Sequence, residues 1–360
     1  MEAAKFDYHL PRQAIAQVPA SQRDASRLLL VNRSTGQVAD HFFHELPHLL
    51  PNSAICFRNT VSVLKARLLG ERPGGGSVEC LLLQPRAEAP DDEWWCLLRP
   101  GKRLPPGSTF HRKGAFSADV LEKQEDGRVL VRFNLDGFSS VPDMAASSGE
   151  MPLPPYIERD PDDPRKALDE ERYQTVYADP ARPHAAAAPT AGLHFTPGVI
   201  ERMLASGHTF RDLRLHVGLG TFKPIQTESV EEHQMHEEFY EIPPESLASL
   251  QPGEKRLRLA IGTTSLRAME DFFRSSRKSP PPTDRTFSRK AGLFIYPPDF
   301  FTTDALLTNF HLPRSTLLCL VSAFLTPGST DGIPWLKQIY QAALNRNYRF
   351  YSYGDAMLIL

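Results

Sequence analysis

Histidine titrates near neutral pH, so the search for chemistry begins with the twelve histidines and their neighbours. In Ala188-Pro189-Thr190-Ala191-Gly192-Leu193-His194-Phe195-Thr196-Pro197, proline, glycine and an imidazole lie together with few charges. A permissive backbone beside a proton-transfer group is what a site loop needs, and a buried loop holding a hydrogen-bonded histidine is the bland alternative. His233-Gln234-Met235-His236 sets two imidazoles three apart among Glu231, Glu232, Glu237 and Glu238. That is half a metal site, a proton-transfer pair, or only a polar surface helix. His44-Glu45-Leu46-Pro47-His48 matches the zinc-protease spacing, but Pro47 inside the turn removes a helical hydrogen bond and breaks the shared face. A solvated helix end is expected there instead.

Two further segments suit holding a ligand. Gly218-Leu219-Gly220-Thr221 follows the strand-like Leu213-Arg214-Leu215-His216-Val217, where backbone can approach a ligand closely. Phe222-Lys223-Pro224 supplies neither the third glycine nor the helix of a dinucleotide fingerprint, and the chain has no phosphate-binding P-loop pattern. Gly262-Thr263-Thr264-Ser265 places hydroxyls at a helix start, where they cap free N–H groups or yield them to a carboxylate or phosphate.

These residues need a scaffold, and three compositional regimes supply one. Residues 1–60 mix short helical and strand-like pieces, among them Arg27-Leu28-Leu29-Leu30-Val31, stopped by Asn32-Arg33-Ser34-Thr35-Gly36. From Val61 to about Met151, short apolar runs such as Val78–Leu83, Trp94–Leu98 and Val129–Phe133 alternate with Gly, Pro and Asp turns, with no convincing helix, which predicts a small barrel or sandwich. Met151-Pro152-Leu153-Pro154-Pro155-Tyr156 is a stiff extended seam. Beyond it Leu257–Ile261, the Gly262–Ser265 turn and Leu266–Phe273 read as strand, turn and helix. The stretch from Arg274 to Lys290, with Arg277, Lys278, Arg285 and Arg289, reads as an exposed loop.

The 360 residues are 41% hydrophobic and 23% charged, enough for a sizeable core, and a net charge of -2 argues against non-specific coating of nucleic acid. Cys56, Cys80, Cys96 and Cys319 form neither a zinc motif nor a disulfide framework. With no leader-like start and no long apolar run, a cytoplasmic location and no membrane contact are expected.

The chain resembles the S-adenosylmethionine:tRNA ribosyltransferase-isomerase family of the queuosine pathway. The matching stretches include Phe6–Pro11, Arg23–Leu29, Met151–Ile157, Tyr173–Tyr177, Ala187–Phe195, His216–Phe222, His233–Glu238, Gly262–Arg267, Thr308–Pro313 and Tyr348–Met357, in family order over nearly the whole length. The resemblance implies an α/β fold: a discontinuous α/β domain (1–60 and 154–360) with an antiparallel β-barrel domain inserted at 61–153. It implies a reaction in which S-adenosylmethionine, a substrate rather than a cofactor, donates its ribosyl carbons to a 7-aminomethyl-7-deazaguanine at the tRNA wobble position. The product is epoxyqueuosine, with adenine and methionine released.

Within that scheme His194 and His216 are the expected acid and base, with Asp355 as orienter or counter-charge. Thr190 and Gly192 are expected to bind substrate, and Gly218, Gly220 and Thr221 to admit the nucleoside. Thr263, Thr264 and Ser265 would hold the methionine carboxylate with Arg267 nearby, and His233, His236, Asn309 and His311 would complete the shell. Arg274, Arg277, Lys278, Arg289 and Lys290, with a barrel face, are expected to meet tRNA. A monomer without metal is expected. One segment departs from the pattern: the family continues its Asn-Thr pair with Arg-Val-Ile-Pro-Ala-Arg-Leu, whereas Asn59-Thr60 is followed by Val61-Ser62-Val63-Leu64-Lys65-Ala66-Arg67-Leu68. This keeps two alternatives open, a non-catalytic or altered-substrate tRNA-binding paralogue and, from His233 and His236, a metal-dependent hydrolase.

Overall fold

The computed structural model describes all residues except 52, 87–90, 136, 161, 186, 217–223, 236 and 278–280, together with the backbone alone of 182–185. The chain begins its regular structure with the hairpin β1 (Arg27–Val31) and β2 (Val38–Phe42). Their turn is closed by Asn32, whose side-chain oxygen accepts from the N–H groups of Ser34 and Thr35, and by Gly36 at φ 72°. The short α1 (Leu46–Leu49) begins with Pro47 in its first turn and leads to β3 (Ile55–Asn59). His44 lies in a separate 3-10 turn, Phe43–Glu45, so His44 and His48 do not share a helix face.

After β3, the strand β4 (Val61–Val63) lies outside the barrel. The closed barrel is built by β5 (Arg67–Glu71), β6 (Ser77–Pro85), β7 (Glu93–Arg99), β8 (Thr109–Arg112), β9 (Phe116–Lys123) and β10 (Val129–Asn134), paired antiparallel in the order β10-β7-β6-β5-β8-β9. Alternate residues such as Val78, Cys80 and Leu82 point inward and meet Phe110, Phe116 and Val131. A helix absent from the sequence expectation, α2 (Val141–Ser148), contributes Val141, Met144 and Ala145 to this core. Its start was legible: Ser140 caps the Asp143 N–H, and Pro142 sits in the first turn, where its missing donor costs nothing.

The chain returns through α3 (Lys166–Arg172) and β11 (Asp179–Ala185), which pairs parallel with β4. Then come α4 (Pro197–Ala205), β12 (Thr209–Leu215), β13 (Glu238–Ile242), α5 (Pro244–Ser249), β14 (Arg258–Ile261) and α6 (Thr263–Ser276). They are followed by β15 (Phe287–Ala291), β16 (Ala305–Asn309), α7 (Thr316–Leu325), α8 (Gly332–Asn345) and β17 (Ala356–Ile359). Nine strands form one sheet in the order β15-β13-β12-β3-β14-β16-β17-β1-β2. Within it β12, β3, β14 and β16 run parallel.

Apolar alternation sets the layers. Leu28, Cys56, Leu259, Ile261, Leu307 and Leu358 face Phe43, Leu46, Phe195, Val199 and Met203 on the α1 and α4 side. Leu29, Ile55, Phe57, Ala260, Leu306 and Met357 face the other way, onto α5, α6, α7 and α8. A sheet apolar on both faces requires helices on both. Among the described residues no helix is long and apolar enough to cross a membrane.

Candidate active site

In open α/β sheets ligands bind beyond the carboxyl ends of the parallel strands, where loops leave a crevice. Here that edge gathers Asn59 at the end of β3, His216 after β12, Gly262 after β14 and Asn309 at the end of β16. The amino end of the antiparallel β17 joins them, since Asn309 pairs with Ala356. A cavity of about 50 Å³ opens at this edge. Its polar wall is Thr190, Thr263, Thr264, Thr308, Asn309, His311, Ser315 and Ser352, and its apolar wall includes Tyr156, Leu312, Leu317 and Tyr351.

Asn309 organises the wall. The Thr190 hydroxyl donates to its Oδ1 at 2.8 Å, and its Nδ2 donates toward His194 Nε2 and the Tyr351 carbonyl, both at 3.3 Å. His194 lies behind Asn309, 3% exposed, with its ring 5.1 Å from that of Phe43. Burial, reinforced by Arg349, Arg23 and Arg172, pushes its pKa down to about 3. It is a neutral imidazole that accepts from Asn309. His311 is the histidine that faces the cavity. Its Nε2 is 2.8 Å from the Thr308 hydroxyl, its N–H donates to Tyr340 at 3.0 Å, and its carbonyl accepts from Tyr8. Desolvation pushes this imidazole down to about 3 as well, which keeps it neutral near pH 7.

The structure does not bring His194, His216 and Asp355 into one cavity. His216 lines a separate one of about 170 Å³ with Thr60, Val61, Asp179, Arg214, Phe239 and Glu241, its ring 5.4 Å from that of Phe239. The Asp355 carboxylate accepts from the Arg27 and Arg349 N–H groups at 3.0 and 2.8 Å, closing the turn into β17. Its link to the cavity is the backbone carbonyl, 3.5 Å from Asn309 Nδ2.

Thr263 and Thr264 stand in the first turn of α6, one turn earlier than the sequence pattern placed the helix start, and neither caps it. Gly262, at φ 90°, makes the reversal from β14. Ser265 is fully buried and is not part of the cavity wall, and among the described residues its hydroxyl has no hydrogen-bond partner. Arg267 is buried against Glu238 and borders a smaller chamber.

Gly192 serves close packing: a Cβ there would lie 2.0 Å from the buried Tyr177 hydroxyl. Gly192→Ala is expected to cost about 1–3 kcal/mol of stability by overpacking. Denaturant unfolding measures it, and a variant as stable as the parent would refute this role.

Gly218, Gly220, Thr221, His236 and Lys278 lie outside the described residues. His233 follows a single 3-10 turn, Val230–Glu232, rather than lying on a surface helix, and its ring is 5.5 Å from that of Phe294. Among the described residues no group of three or more His, Cys, Asp or Glu is placed to hold a metal. The Arg274–Lys290 stretch is not one loop. Arg274 lies in the last turn of α6 and pairs with Asp299 at 3.5 Å, Arg277 follows at the helix end, and Arg289 and Lys290 belong to β15, with Arg289 3.0 Å from Asp271.

Tyr156, Thr308, Tyr351 and Ser352 are cavity residues that the sequence reading did not single out. Tyr156 stands on the proline-rich seam, and the other three lie beside or within quoted stretches, but nothing in their spacing reveals a shared wall. The departing segment forms β4, where Gln174 bridges the Val63 N–H and the Ser62 hydroxyl at 3.0 and 3.1 Å, and Lys65 pairs with Glu170 at 2.9 Å.

Residues 3–359 match the family described as Queuosine biosynthesis protein. The chain is 40% identical over 363 residues to the S-adenosylmethionine:tRNA ribosyltransferase-isomerase of Thermotoga maritima, covering all of both. It is 42% identical over 369 residues to the protein of that name from Desulfitobacterium hafniense and 43% over 366 residues to that of Heliobacterium modesticaldum, again with full coverage of both. The fold is similar to the crystal structure of S-adenosylmethionine tRNA ribosyltransferase from Thermotoga maritima, with a TM-score of 0.53, 33% identity, and 99% of this chain and 100% of that one covered.

Proposed function

The chain belongs to the queuosine biosynthesis protein family, and from that membership we propose that it transfers and isomerises the ribosyl moiety of S-adenosylmethionine onto 7-aminomethyl-7-deazaguanine at the tRNA wobble position. Adenine and methionine leave, and epoxyqueuosine-tRNA remains. The observation that carries the reading is a neutral imidazole, His311, held by Thr308 in a cavity walled by Asn309 and the first turn of α6.

The chemistry needs a base for a proton that the adjacent sulfonium makes acidic, an acid for departing adenine, and an unprotonated amine as nucleophile. His311 is the base in this scheme. Thr308 fixes its ring, while Asn309, steadied by Thr190 and backed by His194, is the donor nearest the nucleoside. Tyr156 and Tyr351, ring centroids 4.6 Å apart, give a purine an aromatic wall. S-adenosylmethionine is consumed, so the scheme requires no cofactor.

The test is incubation with precursor-bearing tRNA and S-adenosylmethionine, following adenine by chromatography. Adenine release that depends on the tRNA precursor supports the reading. Tightly bound tRNA without adenine would instead mark a non-catalytic relative, and activity lost to a chelator would mark a metal hydrolase. Arg274, Arg277, Arg289 and Lys290 are proposed to meet tRNA phosphates. Affinity is then expected to fall about 10²-fold or more between 50 and 200 mM salt, with Arg277→Ala flattening the log–log slope by about one. A salt-independent affinity would move tRNA off this surface.

A further inference from the structure

Among the described residues, four other than glycine have a positive φ, and Tyr351, at 71°, is the one on the wall of the main cavity. A left-handed position is ordinarily filled by glycine, which adopts it without crowding from a Cβ. Glycine would keep both main-chain bonds made here, from the Tyr351 N–H to the Phe310 carbonyl at 3.2 Å and from Asn309 Nδ2 to the Tyr351 carbonyl at 3.3 Å. It would not supply a ring. Tyr351 is 5% exposed, and its ring centroid is 4.6 Å from that of Tyr156. A bulky side chain kept in a sparsely populated backbone state beside a cavity argues for a use of that side chain, and for surroundings that hold it there.

The next two residues are each fixed by a side-chain bond. The Ser352 hydroxyl is 2.7 Å from that of Tyr156, and the Tyr353 hydroxyl donates to Asp169 Oδ1 at 2.8 Å. Asp169 stands on α3, 1% exposed. Arg159 holds both of its oxygens, Nε at 2.6 Å from Oδ2 and Nη2 at 3.0 Å from Oδ1, and Nη2 also donates to the Gln17 carbonyl at 2.7 Å. Burying such a pair is repaid only where further hydrogen bonds complete it. The Tyr353 hydroxyl is that completion, and its ring packs edge-on against Tyr173 with centroids 5.9 Å apart. The ion pair is therefore a fixed anchor for the 351–353 turn.

We propose that Asp169, held by Arg159 and acting through Tyr353, is a positioning residue that keeps Tyr351 left-handed and its ring turned to the nucleoside. Without the anchor the turn relaxes toward the backbone regions that tyrosine prefers, the ring leaves Tyr156, and the carbonyl leaves Asn309. The donor then binds only the fraction of molecules whose wall is in place, and its apparent affinity falls by that fraction. This rests on the donor reading above and adds to it the group that shapes the wall.

Tyr353→Phe removes one hydroxyl and leaves the pair of Asp169 and Arg159 whole. Calorimetry with S-adenosylmethionine and with 5′-methylthioadenosine, which carries the nucleoside without the amino-acid arm, is expected to show both weakened about tenfold, the low end of what a hydrogen bond to a carboxylate contributes. KM for the donor should rise by the same factor, with turnover at saturating donor changed less. In the Tyr351→Gly protein, where no ring remains to be held, adding Tyr353→Phe is expected to change affinity by less than about twofold. A role confined to fold stability would leave the folded Tyr353→Phe protein with parental affinity, and that result overturns the proposal. So does an equal loss in both backgrounds, because Tyr353 would then act on the donor by a route other than Tyr351. If the glycine protein does not fold, Tyr351→Asn takes its place, since asparagine tolerates the left-handed region. Should the parent bind neither nucleoside, the donor reading itself fails, a result distinct from parental affinity in Tyr353→Phe.

Discussion

Replacing His311 with alanine is expected to lower turnover by about 10²–10⁴, the usual contribution of a positioned general base, with S-adenosylmethionine affinity changed far less. The fold should survive, because the backbone groups of residue 311 keep their bonds to Tyr340 and Tyr8 whatever the side chain. Thr308→Val, which removes the hydroxyl 2.8 Å from Nε2, should cost a smaller factor, about tenfold, by loosening the ring. His194→Gln separates this assignment from the one suggested by sequence alone. His194 does not line the cavity and is linked to its wall through Asn309, so its loss should act through positioning and be milder than loss of His311. Single-turnover adenine release under saturating donor measures all three. If His311→Ala reacts at the parental rate while His194→Gln is inactive, the imidazole in the cavity is a bystander and the buried one does the chemistry.

The reason His194 and His311 exchange prominence shows what a linear reading can carry. The cluster around Pro189 to Phe195 is visible because proline, glycine and an imidazole are adjacent in the chain. It proves to be a packed 3-10 turn whose Ala191 and Thr190 touch the cavity while His194 turns inward. His311 has an ordinary neighbourhood in sequence, and only the pairing of β16 with β14 and β17 brings it opposite Thr263. Elements with local signals were legible: β1 from its apolar run and turn, β14 and α6 from the glycine between them, the barrel from repeated short strands. Side-chain direction was not, since a one-residue change of register carries a strand residue to the opposite face. Asp355 illustrates this, spending its carboxylate on two backbone N–H groups instead of a ligand.

Burial of His194 also has a consequence for acid stability. Its folded pKa is pushed to about 3 from an ordinary value near 6.5, so between these limits the unfolded chain binds a proton that the native chain does not. Stability therefore rises with pH across the window, is complete above about 6.5, and is lost at up to about 1.4 kcal/mol per pH unit as pH falls toward 3. Between pH 7.5 and 5.0 this one histidine should account for about 2 kcal/mol of lost stability. Carboxylate protonation begins mainly below that range, which keeps the two effects apart. Desolvation is the largest cause and the three arginines act in the same direction, so added salt should relieve only part of the effect. The measurement is denaturant unfolding at the two pH values for the parent and for His194→Gln, whose amide can still bond to Asn309 without titrating. The variant is expected to be less stable at pH 7.5, because its packing against Phe43 is poorer, yet to lose about 2 kcal/mol less on acidification. Equal losses in the two proteins would mean that His194 can be protonated within the fold, and the buried neutral imidazole behind Asn309 would have to be abandoned.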